Sequence, residues 1–536
     1  MAVRFLDMIL GLSVCHSIQL SWDSGVEPTS KSPDHKLTTP HSLDKKKTKG
    51  GVLTFPSFQT DFNFTDADAT RISSIAVGIQ QAGALIGCFA VWPLANRHGR
   101  RLAMMTCSAI FCVGVVLETV RSRSIAVFYA GRVVCGLGIG GSATVIPIYL
   151  GEMSPKESRA RLGSCYQFTF TIGILVSYWV DYAVVKLVSD SESSQWQIPI
   201  ALQLVPGALM GLGMLTLPES VRWLLYNSNS NYMNTDLAWQ SLTWIRASPN
   251  HTTQTEFHIM QSTIAAERQT RASFHASEFL THRPNLHRLA LGIGIFLAQQ
   301  STGATAMAYF GPQFFAMLVG PGDKNLLLTG VFGGVKVLAC LVFVVFVAER
   351  FGRKPLLIGG AVIMAACMVA TASLVKAHPP PPVSAESDQD SSIPGAAIAT
   401  VLLIYLNITA FNLSWGPLPW PCISEIFPTR IREPGVALGV ASQWFFNFVW
   451  SFSTPYIMAG MGWATFLLFG VLDLLFAGFV WRFLKETKGL SLEEINELFE
   501  SRKGGSGSVE EGVDQGKVSE EEEQDERSSL RPNRID

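Results

Sequence analysis

The chain has 536 residues, of which 48% are hydrophobic and only 15% charged. The charges cluster between long apolar runs rather than spreading over every segment, which excludes a soluble multidomain protein. The net charge of −1 says nothing about partners, because the sign is segregated along the chain.

Runs of about 20 apolar residues match the ~30 Å hydrocarbon core of a bilayer, so the reading is an all-α, multi-pass membrane protein. The first candidate span, Phe5–Trp22, is short and degenerate, carrying Asp7, His16 and Gln19. A signal peptide is disfavoured there by Asp7 and by the lack of a small-residue cleavage site. A polar, basic stretch from Glu27 to Lys49 follows, ending in "DKKKTKG", with no apolar periodicity. Eleven clear spans come next: Ile72–Ala95, Leu102–Val120, Ile125–Leu150, Leu162–Val184, Ile198–Leu217, Leu289–Met317, Leu326–Ala348, Leu356–Val375, Ala396–Trp420, Pro434–Ala459 and Met461–Phe483. The expected organisation is a six-helix bundle over 1–217 with the insert at 27–49, a cytoplasmic helical linker over 218–288, a second six-helix bundle over 289–500, and a disordered acidic tail over 501–536. The nine cysteines lie almost all in apolar runs and form no Cys-x-x-Cys pair, so neither a disulfide framework nor a zinc site is indicated.

Lys and Arg in the short loops fix the orientation. Arg97, Arg100, Arg101, Lys156, Arg159, Arg161, Arg350, Arg353, Lys354, Arg430 and Arg432 fall on one side, which is assigned to the cytoplasm, with Arg121 and Arg123 the main exception. The same loops repeat. "NRHGRR" (Asn96–Arg101) returns as "ERFGRK" (Glu349–Lys354), "EMSPKESR" (Glu152–Arg159) as "EIFPTRIR" (Glu425–Arg432), and "PESVR" (Pro218–Arg222) as "KETKG" (Lys485–Gly489). The order and spacing are kept, so the chain consists of two homologous halves.

With "GRVVCGLGIGG" (Gly131–Gly141), "QQSTGATAMAYFGPQFF" (Gln299–Phe315) and "WGPLPWPCISEIFP" (Trp415–Pro428), these motifs resemble the sugar-porter family of the major facilitator superfamily from Gly50 to about Phe499. The variants "YQFTFTIGILVSYWVDYA" and "GPLPWP" resemble most the fungal members, among them those called quinate permeases. The resemblance implies a monomeric plasma-membrane carrier with no cofactor and no nucleic-acid partner. Such a carrier imports a sugar or polyol with protons by alternating access between two bundles in the lipid bilayer. A quinate or sugar-acid carrier is the alternative, and a non-transporting nutrient sensor of the same fold is the alternative of another class. The short acidic tail speaks against the sensor, and no nucleophile–base pair or metal cluster suggests an enzyme.

Intramembrane amides are costly against lipid, so they mark the bundle interior. Gln167, Gln299, Gln300 and Asn447, with Trp420 as an aromatic wall, match the family's sugar-binding positions. Thr305 replaces a usual Asn, while Ala308 and Phe310 replace a frequent Asn and Tyr. Helix–helix hydrogen bonding is the competing role for Gln443 and Asn407. Lys336, near the middle of its span, either pairs with Asp23 or Asp181 or receives an anionic substrate. For the gate at the cytoplasmic ends, Arg97, Arg100 and Arg101 are expected to pair with Glu152 near Arg159. Arg350 and Arg353 are expected to pair with Glu425 near Arg432, and Asn96, Arg132 and Glu349 belong to the same gating set. "WDSGV" (Trp22–Val26) and "GGVLTFPSF" (Gly50–Phe58) are the two halves of a family pattern split by the insert. Rejoining them places Asp23 at the proton-coupling aspartate, the competing reading being a plain loop residue. The glycine run Gly136–Gly141 sits inside an apolar span with no strand before it, so it indicates close helix packing and not a dinucleotide loop.

Overall fold

A backbone in hydrocarbon must satisfy its own hydrogen bonds, and the chain meets that demand with helices alone among the described residues. The computed structural model describes residues 55–64, 66–120, 124–155, 158–189, 191–227, 232–247, 249–269, 281–319, 323–378, 395–428, 431–490 and 492–500. The expected first span, the 27–49 insert, Asp23 and the acidic tail lie outside these residues. The described residues as far as Asn496 belong to one compact unit, and those from Glu497 to Glu500 to a second.

In chain order the first half contains α1 (Pro56–Asp61), α2 (Asp66–His98), α3 (Arg100–Thr119), α4 (Ile125–Met153), α5 (Arg159–Leu187), α6 (Ser194–Leu202) and α7 (Leu204–Gly213). Three shorter polar helices follow: α8 (Val221–Asn227), α9 (Tyr232–Arg246) and α10 (His251–Gln269). The second half contains α11 (Arg283–Ser301), α12 (Ala304–Val319), α13 (Asp323–Val342, continued by a π turn over Phe343–Val347), α14 (Arg353–Ala377), α15 (Gly395–Asn412), α16 (Pro419–Ile426), α17 (Arg432–Met461) and α18 (Ala464–Phe483). A last helix, α19, covers Leu492–Glu500.

Each of the eleven clear spans falls on helix, but three of them are broken. Of the eleven, the fifth splits at Gln203 into α6 and α7, the sixth at Thr302–Gly303 into α11 and α12, and the ninth between Asn412 and Pro419 into α15 and α16. Gly303 takes a left-handed φ of 77°, which ends α11. Irregular backbone at membrane depth is tolerated only where protein or a cavity covers it, and the last two breaks lie beside the cavity described below. Among the described residues, eight spans are long and apolar enough to cross a membrane by composition. The three below that threshold are α5, the broken α11–α12 and α17, which carry Gln167, Gln299 with Gln300, and Gln443 with Asn447. Leu212, Leu402, Leu475 and Trp481 are among the large apolar side chains left exposed on the outer faces, as a lipid-facing surface requires.

The glycine run does pack helices. A Cβ on Gly136 would lie 2.2 Å from the Gln80 carbonyl oxygen, and one on Gly140 would lie 1.9 Å from that of Ala84. Backbone thus meets backbone between α2 and α4, and no rotamer change can relieve a side chain there. Gly140→Val should therefore abolish folded protein, exceeding the ~1–3 kcal/mol usual for overpacking. Size-exclusion chromatography of the detergent-solubilised chain tests this: a monodisperse variant peak of normal height would refute the packing account.

Candidate functional site

A cavity of about 110 Å³ opens between the two halves, lined by α2, α4 and α5 on one side and by α11, α12, α13, α15, α16 and α17 on the other. One water needs roughly 10–15 Å³ of such space, so the cavity suits a small polyhydroxy molecule. Gln167, Gln299, Gln300, Thr305, Lys336, Trp420 and Asn447 all line it. Gln80, Gln81, Tyr166, Gln443 and Trp444 line it as well, and sequence reasoning had not placed them there. Gln443, expected in a helix–helix role, faces the cavity, whereas Asn407 is buried away from it with neither amide atom hydrogen-bonded.

Most of the amides are already engaged, which decides what each can offer. Gln81 Nε2 donates to Asn447 Oδ1 at 2.8 Å, bridging α2 to α17 across the halves. Asn447 Nδ2 and Thr305 Oγ1 donate to Gln300 Oε1 at 3.2 and 2.6 Å. Gln299 Nε2 donates to the carbonyls of Trp415 and Gly416 at 3.0 and 3.1 Å, satisfying backbone freed by the α15–α16 break. Its Oε1 is buried without a hydrogen bond, as are Gln443 Oε1, Gln80 Nε2 and Trp444 Nε1. Two acceptors and two donors are therefore left for a ligand on the wall. Such groups are costly unless something answers them.

Lys336 is 4% exposed. Its Nζ lies 5.7 Å from the Phe332 ring centroid, and among the described residues no carboxylate pairs with it. The expected pairing with Asp181 is not made, and Asp23 lies outside the described residues. Among the described residues, the cavity lining thus carries one cation and no acid.

Aromatic rings form the floor. Tyr166 and Trp420 meet edge-on at 4.5 Å, Phe296 packs on Trp420 at 5.2 Å, and Trp420 Nε1 donates to Gln167 Oε1 at 3.3 Å. Beneath the floor a smaller cavity is lined by Pro147, Gly151, Gly163, Pro421 and Ser424, with Tyr166 and Trp420 shared between the two.

At the basic end, the repeated motifs build two helix caps. Glu219 accepts the backbone N–H groups of Arg100 and Arg101 at 3.0 and 3.1 Å, and Glu486 accepts those of Arg353 and Lys354, both at 3.0 Å. Each carboxylate neutralises the free N–H groups and positive dipole at the start of α3 or α14. The glycine before each Arg leaves room for it: a Cβ on Gly99 would lie 2.3 Å from Glu219, and one on Gly352 would lie 2.4 Å from Glu486.

The guanidinium groups then form buried ion pairs, with differences from the pairs expected of a gate. Arg100 pairs with Glu152 at 2.9 Å and also with Glu433 of the other half. Arg353 pairs with Glu425 at 2.5 Å and donates to Thr487. Arg432, expected near Glu425, reaches across to Glu152 at 3.4 Å. Glu152 also accepts Ser220 Oγ at 2.5 Å. Glu349 joins the halves through Arg161 at 2.6 Å, on a half-exposed surface. Arg97 and Arg350 are exposed and make no ion pair among the described residues, because the chain at each helix end turns them outward. Arg101 spends its guanidinium on the Met214 and Leu215 carbonyls at 2.7 and 2.6 Å. Asn96 contributes its backbone carbonyl to Trp223 Nε1 at 2.9 Å. Arg159 heads α5, and its side chain is outside the described residues. Arg132 lies elsewhere, buried against Glu118 at 3.4 Å.

Residues 47–499 match the model of the family described as sugar (and other) transporter. The quinate permease of Emericella nidulans is 32% identical over 461 residues, covering 84% of this chain and 85% of that protein. A probable quinate permease of Aspergillus terreus is 33% identical over 463 residues, covering 84% and 83%. In fold, the XylE proton:xylose symporter bound to 6-bromo-6-deoxy-D-glucose superposes with a TM-score of 0.76 at 23% identity, covering 93% of this chain and 99% of that one. The inward-open xylose transporter XylE from E. coli gives 0.61 at 22% identity, covering 92% and 99%.

Losing Glu433 should loosen the inner end while leaving Arg100 paired with Glu152. In Glu433→Gln, a cysteine introduced as Ser424→Cys in the lower cavity is expected to react faster with an impermeant thiol reagent in inside-out vesicles. An unchanged rate would show that the cross-half pair does not hold the inner end shut.

Proposed function

Because this chain belongs to the sugar (and other) transporter family, we propose that it is a proton-coupled carrier that imports a hydroxylated carboxylate of the quinate type by alternating access. It is a multi-pass membrane protein of the plasma membrane and not an enzyme, in keeping with the permeases it resembles. In this reading the bundles 1–217 and 289–500 rock about the cavity, 218–288 is the cytoplasmic linker, and the buried ion pairs at the basic end break as the inner side opens.

Lys336 carries the choice of substrate. A lysine at the middle of a span costs on the order of 2.5–3.5 kcal/mol by insertion scales, and none of the described carboxylates offsets that cost here. A substrate carboxylate supplies the missing countercharge through a charge-assisted hydrogen bond, about twice as strong as a neutral one. The hydroxyls of the same substrate suit the acceptors Gln299 Oε1 and Gln443 Oε1 and the donors Gln80 Nε2 and Trp444 Nε1. Gln167, Gln300, Thr305 and Asn447 set the shape of the wall, and Trp420 supplies the ring face. Those amides alone would serve a neutral sugar or polyol, which is the second reading. The proton is assigned to Asp23 on the family pattern split by the insert.

The test is uptake of labelled quinate, hexoses and polyols in transport-deficient yeast, with and without a protonophore. Quinate uptake should be saturable and abolished by the protonophore, and Lys336→Met should raise its KM by roughly 10- to 100-fold, with Lys336→Arg in between. Intact quinate uptake in Lys336→Met would remove the anion reading in favour of the neutral polyol. Uptake indifferent to the protonophore would remove the coupling.

A further inference from the structure

An amide side chain shows a ligand either its N–H edge or its carbonyl oxygen, and whatever ties down the other end decides which. Gln167 is fixed by one bond. Its Oε1 accepts Trp420 Nε1 at 3.3 Å, and an indole nitrogen only donates, so Nε2 is the end left to the cavity that Gln167 lines. Gln300 is fixed by a longer chain. Ser451 Oγ donates to Gln81 Oε1 at 3.2 Å, Gln81 Nε2 to Asn447 Oδ1 at 2.8 Å, and Asn447 Nδ2 to Gln300 Oε1 at 3.2 Å. Thr305 Oγ1 donates to the same Gln300 oxygen at 2.6 Å, so both of its acceptor positions are taken. Gln300 also lines the cavity, and its Nε2, like that of Gln167, makes no hydrogen bond among the described residues.

Every bond of this chain runs toward Gln300. Turning that amide alone would set its Nε2 against Asn447 Nδ2, donor against donor, so Gln300, Asn447 and Gln81 turn together or not at all. Ser451 Oγ also reaches the Phe448 carbonyl at 3.1 Å, which makes Thr305 the firmer end. We propose that Thr305 and Gln81 are positioning residues: acting through Gln300 and Asn447, they hold the Gln300 amide with its N–H edge toward the cavity, and so favour a carboxylate over a neutral group of the same shape. The inference rests on the quinate-type reading above and adds to the Lys336 charge an N–H donor from each half, Gln167 on α5 and Gln300 on α11. A carboxylate offers these donors two acceptor oxygens. A primary amide in its place offers one and brings N–H groups of its own, so donor meets donor.

The test uses the purified full-length chain at one pH and reads, by calorimetry, the Kd of the neutral primary amide of quinate divided by that of quinate. Wild type should favour quinate at least roughly tenfold. Thr305→Val keeps the shape of the side chain and removes its donor, so the ratio should fall roughly fivefold, and Thr305→Ser should keep the wild-type ratio. Gln81→Leu releases the chain at its other end and should lower the ratio by a similar factor. Lys336 is present in every variant, so a change in the ratio reports the Gln300 amide. A merely structural role would weaken both ligands alike, so an unchanged ratio in either variant overturns the role given to that residue. If Thr305→Val does not fold, Thr305→Ala removes the same donor and takes its place under the same criterion. Wild type that binds the amide as tightly as quinate, or that binds a neutral polyol and no quinate, instead refutes the quinate-type reading on which the inference rests.

Discussion

In hydrocarbon a polar side chain needs a partner, and the partners available are other side chains, freed backbone carbonyls or a ligand. That requirement sorts the residues of this chain into three places. Carboxylates and guanidinium groups collect at the basic ends of the helices, where Glu152 alone receives Arg100, Ser220 and Arg432. Amides collect between the halves, where the chain Gln81–Asn447–Gln300–Thr305 crosses from one bundle to the other. Four unanswered groups, on Gln80, Gln299, Gln443 and Trp444, face the cavity, and among the described residues Lys336 gives that cavity its charge.

The internal repeat is present in the structure, yet its symmetry is incomplete in a useful way. Glu219 and Glu486 cap equivalent helices with nearly equal distances, so the scaffold is duplicated. The network of ion pairs is not. Glu152 and Glu433 are both engaged across the halves, whereas Glu425 is bound within its own half by Arg353. Breaking a buried pair by removing one partner costs about 3–5 kcal/mol, because the other charge is left uncompensated. The pairs that cross the halves are therefore those that the proposed inner opening would have to separate. In the proposed function the aromatic floor of Tyr166 and Trp420, which separates the two cavities, would be a second barrier.

Much of this was legible in the sequence, because hydropathy and the repeat are strong signals over a long chain. The eleven spans fall on helices, and all seven proposed cavity residues converge, since an intramembrane amide has few places to go. Other features were not legible. The breaks at Thr302–Gly303 and between Asn412 and Pro419 lie within continuous apolar runs, where hydropathy does not change sign. Gln80 and Gln81 sit on a helix apolar around much of its circumference, so no periodicity marks which face is inward. Arg432 was expected only near the glutamate of its own motif, and its reach to Glu152 was not legible because sequence proximity carries no information about contacts between halves. Glu433 adjoins that motif without being part of it. The repeated "PESVR" and "KETKG" were seen as a repeat, but the capping role of their glutamates needed the geometry of the two glycines.

The central claim is that the cavity between the halves is matched to a carboxylate through Lys336. It is tested most directly by calorimetric binding of quinate and of its neutral primary amide to the purified chain at one pH. The two ligands share their hydroxyls and differ in the charged group, so the comparison isolates the lysine's contribution. The account predicts that quinate binds at least roughly tenfold tighter than the amide, as expected for loss of one charge-assisted hydrogen bond. Equal affinities, or tighter binding of the amide, would contradict it.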